Sequence, residues 1–242
     1  MGRIIVIGIG PGEQAHMTQR AKECLQEADS IVGYSGYVSL LGEEYTQKEI
    51  LSTGMKREVL RCRLCFEKAL EGKVVALICS GDAGVYGMAS LVYELSSEYG
   101  KVDIEIVPGV TAAASGAAVL GAPINHDFCT ISLSDLLTPW ELIAKRLQTA
   151  AMGDFVITLY NPSSMKRADY LQKACDLLLE ILPEDRACGY VKNIGREGTA
   201  TWTGTLAELR AEQVDMFTTC FIGNSQSFLL DGKLITPRGY RT

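Results

Sequence analysis

The apolar run Val74-Val75-Ala76-Leu77-Ile78-Cys79 ends in Ser80-Gly81-Asp82-Ala83-Gly84-Val85-Tyr86-Gly87, a turn in which three glycines surround one carboxylate. The glycines let a ligand approach the main chain, and a helix start just beyond offers free N–H groups. Asp82 can accept hydrogen bonds from hydroxyl or ammonium groups. This chemistry suits a neutral or cationic polar ligand better than a phosphate. The plainer alternative is a left-handed turn in which Asp82 caps the following helix. Three basic groups stand out: Lys56-Arg57 with Arg61 and Arg63, Lys166-Arg167, and Lys192 with Arg196. Each is either solvated surface or part of a cradle for a small polyanion. Cys62 and Cys65 form a lone Cys-x-x-Cys on a predicted helix, with no second pair or nearby His, so no metal site is expected.

The elements that position these residues follow from the same pattern. An unbroken β-prone run closed by glycine is a strand buried on both faces. Residues 3–9 read the same way before Gly8-Ile9-Gly10-Pro11-Gly12, and residues 102–107 before Pro108-Gly109-Val110-Thr111-Ala112. Helices are predicted over 57–71, 88–97 and 111–120. Alternating strands and helices make this half a doubly wound, mainly parallel α/β sheet, whose ligands sit beyond the carboxyl ends of the strands. The first glycine loop resembles a dinucleotide fingerprint only superficially. Its third glycine would fall at Glu13, Pro11 removes an N–H, and the second predicted strand ends in Gly33-Tyr34 instead of an acid, so nicotinamide and flavin binding are not expected. The chain changes character at Gly121-Ala122-Pro123, which places the domain boundary there, with domains over 1–122 and 123–242. Strands predicted over 128–133, 154–160, 187–192, 199–204 and 218–223, with an edge strand over 232–236, give the second domain a mixed sheet.

Composition bounds the rest. The 242 residues are 47% hydrophobic, enough for one large core or two smaller ones, and no window carries a membrane span. A cytoplasmic protein with reduced cysteines is expected. A net charge of −6 argues against general nucleic-acid binding.

Taken in order, the loops at Gly8, Ser80, Pro108, Gly121-Ala122-Pro123-Ile124 and Gly204-Thr205-Leu206 resemble the tetrapyrrole methylase family over essentially the whole chain. Within it, His126-Asp127-Phe128-Cys129-Thr130-Ile131-Ser132-Leu133-Ser134-Asp135-Leu136-Leu137-Thr138-Pro139-Trp140, Tyr160-Asn161-Pro162, Thr53-Gly54-Met55 and Ile235-Thr236-Pro237-Arg238-Gly239-Tyr240 are most similar to the branch that methylates C-17 with ring contraction. The resemblance implies two α/β domains, S-adenosylmethionine as cofactor in a cleft between them, and precorrin-3B or cobalt-factor III as substrate. It also implies a homodimer. Gly81, Asp82, Val85, Thr111 and Ala112 would meet the cofactor from the first domain, and Tyr160, Asn161, Asn193 and Thr219 from the second.

Gly10, Pro11 and Gly12 would form a lip over the macrocycle, and Lys56, Arg57, Lys166 and Arg167 would meet its carboxylates. Gly81 and Gly10 are thus expected to serve different ligands and to be separable by mutation. Ring contraction moves protons, for which Asp135 and then His126 are the candidate acid or base. Both have structural alternatives as caps. Competing readings are another methylase of the family, acting on uroporphyrinogen or at C-11 or C-20, and a noncatalytic nucleotide-binding α/β protein.

Overall fold

The computed structural model describes residues 2–240. Strands β1 (Arg3–Gly8), β2 (Ser30–Tyr34), β3 (Glu49–Thr53), β4 (Val74–Cys79) and β5 (Asp103–Val107) form a sheet of order β3-β2-β4-β1-β5 in which every pairing is parallel. The apolar runs of β1 and β4 are continuous because both faces of the sheet are covered. Ile4, Val6, Val75 and Leu77 pack with Phe66 of α3 (Glu58–Leu70) and Val92 of α4 (Ala89–Ser96). Ile5, Ile7, Ala76 and Ile78 pack with Ala21 and Leu25 of α1 (Gln19–Glu27). Thr18 starts α1 by accepting the Ala21 N–H at 3.2 Å.

The chain divides into two compact units between Ala112 and Ala113, ahead of the turn at Gly121-Ala122-Pro123. The reason is α5 (Ala112–Leu120), which follows α2 (Ser35–Val38), α3 and α4 in sequence but packs within the second unit. A Cβ added at its Gly116 would lie 3.0 Å from Ile194 and 3.1 Å from Phe221, so the helix rests closely on that unit's sheet. The turn instead supplies β6 (Gly121–Ala122).

The second unit contains β7 (Phe128–Ser132), α6 (Trp140–Met152), β8 (Val156–Tyr160), α7 (Tyr170–Leu179), β9 (Ala187–Lys192), β10 (Ala200–Thr205), α8 (Leu206–Leu209) and β11 (Thr218–Ile222). Its sheet has the order β10-β9-β11-β8-β7, with β7 and β8 parallel and the other pairs antiparallel, the mixed arrangement expected. A further sheet, β12-β13-β6, joins β12 (Phe228–Leu230) and β13 (Lys233–Ile235) to the turn strand. Of these three strands the sequence pattern marks only β13.

Three loops at the carboxyl edge of the first sheet interlock through glycine. A Cβ on Gly109 would lie 2.1 Å from the Gly81 carbonyl oxygen and 2.5 Å from that of Gly8, while one on Gly8 would lie 2.6 Å from the Gly109 nitrogen. Main chain therefore touches main chain where β1, β4 and β5 end. We expect Gly109→Ala to lower the free energy of unfolding by about 2–3 kcal/mol, measured by urea denaturation, because neither carbonyl can move without shifting its strand. A loss below about 0.5 kcal/mol would show that this junction is loose.

Candidate functional site

In the first unit the residues proposed for the cofactor gather at the junction just described. Gly81 is left-handed, with φ +69°, and donates its N–H to the Gly10 carbonyl at 2.7 Å while accepting the Gly10 N–H at 3.0 Å. A Cβ at Gly81 would meet nothing closer than Thr111 Cα at 3.7 Å and the Ala112 nitrogen at 3.8 Å. Gly81 is buried, and a single methyl added to it would meet the main chain of Thr111 and Ala112 at ordinary van der Waals distance, so the three share one patch of main chain. Asp82 is committed to the loops themselves: Oδ1 accepts the N–H groups of Gly84 at 2.7 Å and Val85 at 3.1 Å, and Oδ2 accepts that of Gly109 at 2.9 Å.

The reciprocal Gly10–Gly81 pair corrects the expectation that the two glycines can be mutated independently. Gly10 is itself left-handed, with φ +77°, and a Cβ there would lie 2.8 Å from the His16 carbonyl oxygen, so enlarging it disturbs the Gly81 turn as well. Its N–H, which a pyrophosphate cradle would need, is already donated to Gly81. Pro11 and Gly12 are buried rather than exposed as a lip.

In the second unit, β8 and β9 end, and antiparallel β11 begins, at one edge of the sheet, which collects Tyr160, Asn161, Asn193 and Thr219. Tyr160 Oη accepts the Ala113 N–H at 2.7 Å and so caps α5. Asn161 and Asn193 are both left-handed, with φ 52° and 53°. Asn161 donates its side-chain amide to Ser132 Oγ at 2.9 Å, and Asn193 holds its own turn by accepting the Thr199 hydroxyl on its carbonyl at 2.8 Å. Thr219 is buried, and its hydroxyl has no hydrogen-bond partner among the described residues.

The basic groups sort by whether their charge is free. Lys56, Arg57 and Lys166 are exposed and form no ion pair among the described residues. Arg63 pairs with Glu98 at 2.7 Å, and Lys192 with Asp215 at 2.6 Å, while Arg196 stands over the Phe217 ring. Arg61 is buried. Arg167, expected to meet substrate, donates to Ser134 Oγ at 2.6 Å, to Asp135 Oδ1 at 3.2 Å and to Ser164 Oγ at 3.1 Å, so its charge is answered within the protein.

A match to the family model for Tetrapyrrole (Corrin/Porphyrin) Methylases covers residues 3–210. The chain belongs to that family. It is 49% identical to a probable cobalt-factor III C(17)-methyltransferase of Salmonella typhimurium, over 97% of this chain and 98% of the relative. It is 47% identical to a cobalt-factor III methyltransferase of Priestia megaterium, over 99% of this chain but only 45% of that longer relative. The crystal structure of the methyltransferase CobJ superposes with a TM-score of 0.91 at 34% identity, covering 98% of this chain and all of that one. The tetrapyrrole methylase fold expected from the resemblance is therefore present, and the chain is a methyltransferase of this family.

The state of the two candidate acid–base residues is set by their neighbours. The Tyr170 hydroxyl, donating to Asp135 Oδ2 at 2.6 Å, together with the Arg167 guanidinium, holds the Asp135 carboxyl below the usual carboxylate range. The same bond raises the Tyr170 phenol. Asp135 is therefore ionised at neutral pH, a state in which it can accept a proton but has none to donate. Its carboxylate instead ties the loop after β7 to the loop after β8. His126 lies elsewhere: it precedes the amino end of β7, whereas Asp135 follows its carboxyl end, a separation of about 16 Å along the strand. Its Nδ1 accepts the Asp127 N–H at 2.8 Å, so in that tautomer the approach of the Asp127 carboxylate at 3.5 Å is not an ion pair.

Tyr170, which completes this network, escaped the sequence reading. Its spacing of three residues from Arg167 was the available signal. A carboxyl lowered by folding stabilises the protein above its unfolded pKa and loses that contribution as pH falls through the folded value. Asp135→Asn should therefore lower stability by a constant amount at neutral pH, and the deficit should shrink only below about pH 4. The kcat/KM profile between about pH 5 and 9 should keep its shape. Loss of a pH limb in that interval would restore Asp135 as an acid–base group.

Proposed function

We propose that this chain transfers a methyl group from S-adenosylmethionine to C-17 of cobalt-factor III, with ring contraction, as a step of cobalamin biosynthesis. The observation that carries this reading is the 49% identity with the Salmonella relative over nearly the full length of both chains. The cofactor supplies an activated methyl on a sulfonium, whose charge falls as the methyl leaves, so no protein nucleophile is required. What the chain must do is align donor and acceptor carbon and exclude water.

The residues present fit that task. The Gly81 turn carries no side chain where it faces Thr111 and Ala112, which leaves main chain for a ligand to approach, and the unpartnered Thr219 hydroxyl offers one donor and acceptor in the second unit. Asn161 and Asn193 hold their turns in left-handed conformations, with the Asn161 side chain occupied by Ser132 and the Asn193 carbonyl by Thr199. Asp82, Val85 and Tyr160 act in the same reading by fixing the loops: Asp82 through three N–H groups, one of them that of Val85, and Tyr160 by capping α5. Lys56, Arg57 and Lys166 are the free cations for the carboxylates of the macrocycle, and Gly10, Pro11 and Gly12 act through the Gly81 turn they support. A cytoplasmic homodimer belongs to the same reading, and a monomer in sedimentation at micromolar concentration would remove it.

Anaerobic incubation with S-adenosylmethionine and either cobalt-factor III or metal-free precorrin-3B tests the assignment by mass and absorbance. Gain of one methyl group on cobalt-factor III, with little on precorrin-3B, is expected; turnover of precorrin-3B alone would reverse the substrate choice. Lys166→Glu should raise KM for the tetrapyrrole roughly tenfold while leaving S-adenosylhomocysteine affinity within about twofold, since its charge opposes only the substrate. Arg167→Glu is not equivalent, because it places a second carboxylate against Asp135.

A further inference from the structure

Arg61 carries a charge into the core of the first unit without an anion to meet it. The residue is 3% exposed and forms no ion pair among the described residues. Its Nε donates to Thr53 Oγ1 at 2.8 Å, one terminal nitrogen donates to the Gly54 carbonyl at 3.0 Å, and the other reaches Met88 Sδ at 3.4 Å. The nearby thiols do not answer the charge: burial pushes Cys62 up to about 12 and Cys79 up to about 11, and Cys65 is raised further, so all three are neutral. Such a burial is unfavourable, and an apolar side chain of similar length would fill the space with less desolvation. What only the guanidinium can do is donate in several directions from one rigid plane.

The three directions lead to two loops that need support. Lys56, in the loop after β3, has φ 59°, and Tyr86, in the turn after β4, has φ 55°; both are left-handed without being glycine. The helices that follow, α3 from Arg57 and α4 from Met88, start without a side-chain cap. Arg61 sits in the first turn of α3 and grips Thr53 and Gly54 at the root of one loop and Met88 at the end of the other.

We propose that Arg61 is a positioning residue that clamps the segments 54–57 and 84–88 in the conformations that binding requires. The inference rests on the functional reading above only in what the segments bind: the first presents Lys56 and Arg57 to the macrocycle, and the second continues the Gly81 turn. A residue of this kind has a particular signature, because removing an unanswered buried charge relieves desolvation while freeing the loops.

Arg61→Met tests it, with Arg61→Lys and Thr53→Val as variants that keep the charge or remove a single bond. In the unliganded protein, amide exchange of peptides spanning 53–58 and 84–89 should rise about tenfold or more in Arg61→Met, with the melting temperature unchanged or higher. S-adenosylhomocysteine affinity should fall roughly fivefold and KM for cobalt-factor III rise roughly tenfold, with Thr53→Val intermediate and Arg61→Lys only partly restored. Unchanged exchange in either segment overturns the clamp. Faster exchange in both segments with both affinities intact overturns its role in binding. Exchange and melting need no ligand, so they decide the clamp even if the wild-type protein proves to use another substrate. Should Arg61→Met fail to fold, the same measurements on Thr53→Val decide between the outcomes.

Discussion

The Asp82 carboxylate is the interaction on which the first unit's ligand edge depends. Two of its three bonds close the turn after β4 on itself, and the third reaches the Gly109 N–H in the loop after β5. With the reciprocal Gly10–Gly81 pair adding the loop after β1, the carboxyl ends of three adjacent strands become one piece of main chain. A carboxylate has about four acceptor positions, so three internal N–H groups leave little for a ligand. The surface left for binding is backbone: the Gly81 turn and the start of α5. This is why glycine, and not a charged side chain, is the chemically informative residue of the motif.

The second unit applies a similar device with a different geometry. Asp135 gathers Tyr170 and Arg167 as Asp82 gathers N–H groups, and Ser132, Ser134 and Ser164 extend the network across the loops after β7 and β8. Both carboxylates that looked available for chemistry therefore act as ties. Methyl transfer from a sulfonium tolerates this, because it asks for alignment and dryness rather than for an acid or a nucleophile. Of the basic residues weighed above, Lys56, Arg57 and Lys166 keep a charge that no ion pair among the described residues answers, the kind of group a polycarboxylate would meet.

Much of this was legible in the residues alone, for identifiable reasons. Runs such as Val74 to Cys79 closed by glycine specify buried parallel strands locally, and the ordered glycine loops carried the family. What escaped depends on partners distant in sequence. That α5 belongs with the second unit is decided by Gly116 fitting against Ile194 and Phe221, which no helix-forming pattern reveals. The strands β6 and β12 exist because β13 pairs with both, a partnership distant from β6 in sequence. The occupation of Asp135 by Tyr170 spans 35 positions. The separation of His126 from Asp135 follows from strand direction, which puts residues flanking a single strand at opposite ends of the sheet. Arg61 stood among basic neighbours in sequence and was distinguishable from them only by its burial.

The central claim is that the cofactor lies on the main chain of the Gly81 turn. Gly81→Ala addresses it directly: the added methyl meets Thr111 Cα at 3.7 Å, an ordinary contact the protein accommodates, yet it covers the main chain that faces Thr111 and Ala112. The left-handed backbone costs about 1 kcal/mol, which the fold can absorb. Calorimetric titration of the folded variant with S-adenosylhomocysteine should show affinity reduced about tenfold or more relative to wild type. Wild-type affinity in a Gly81→Ala protein whose circular dichroism is unchanged would contradict the account.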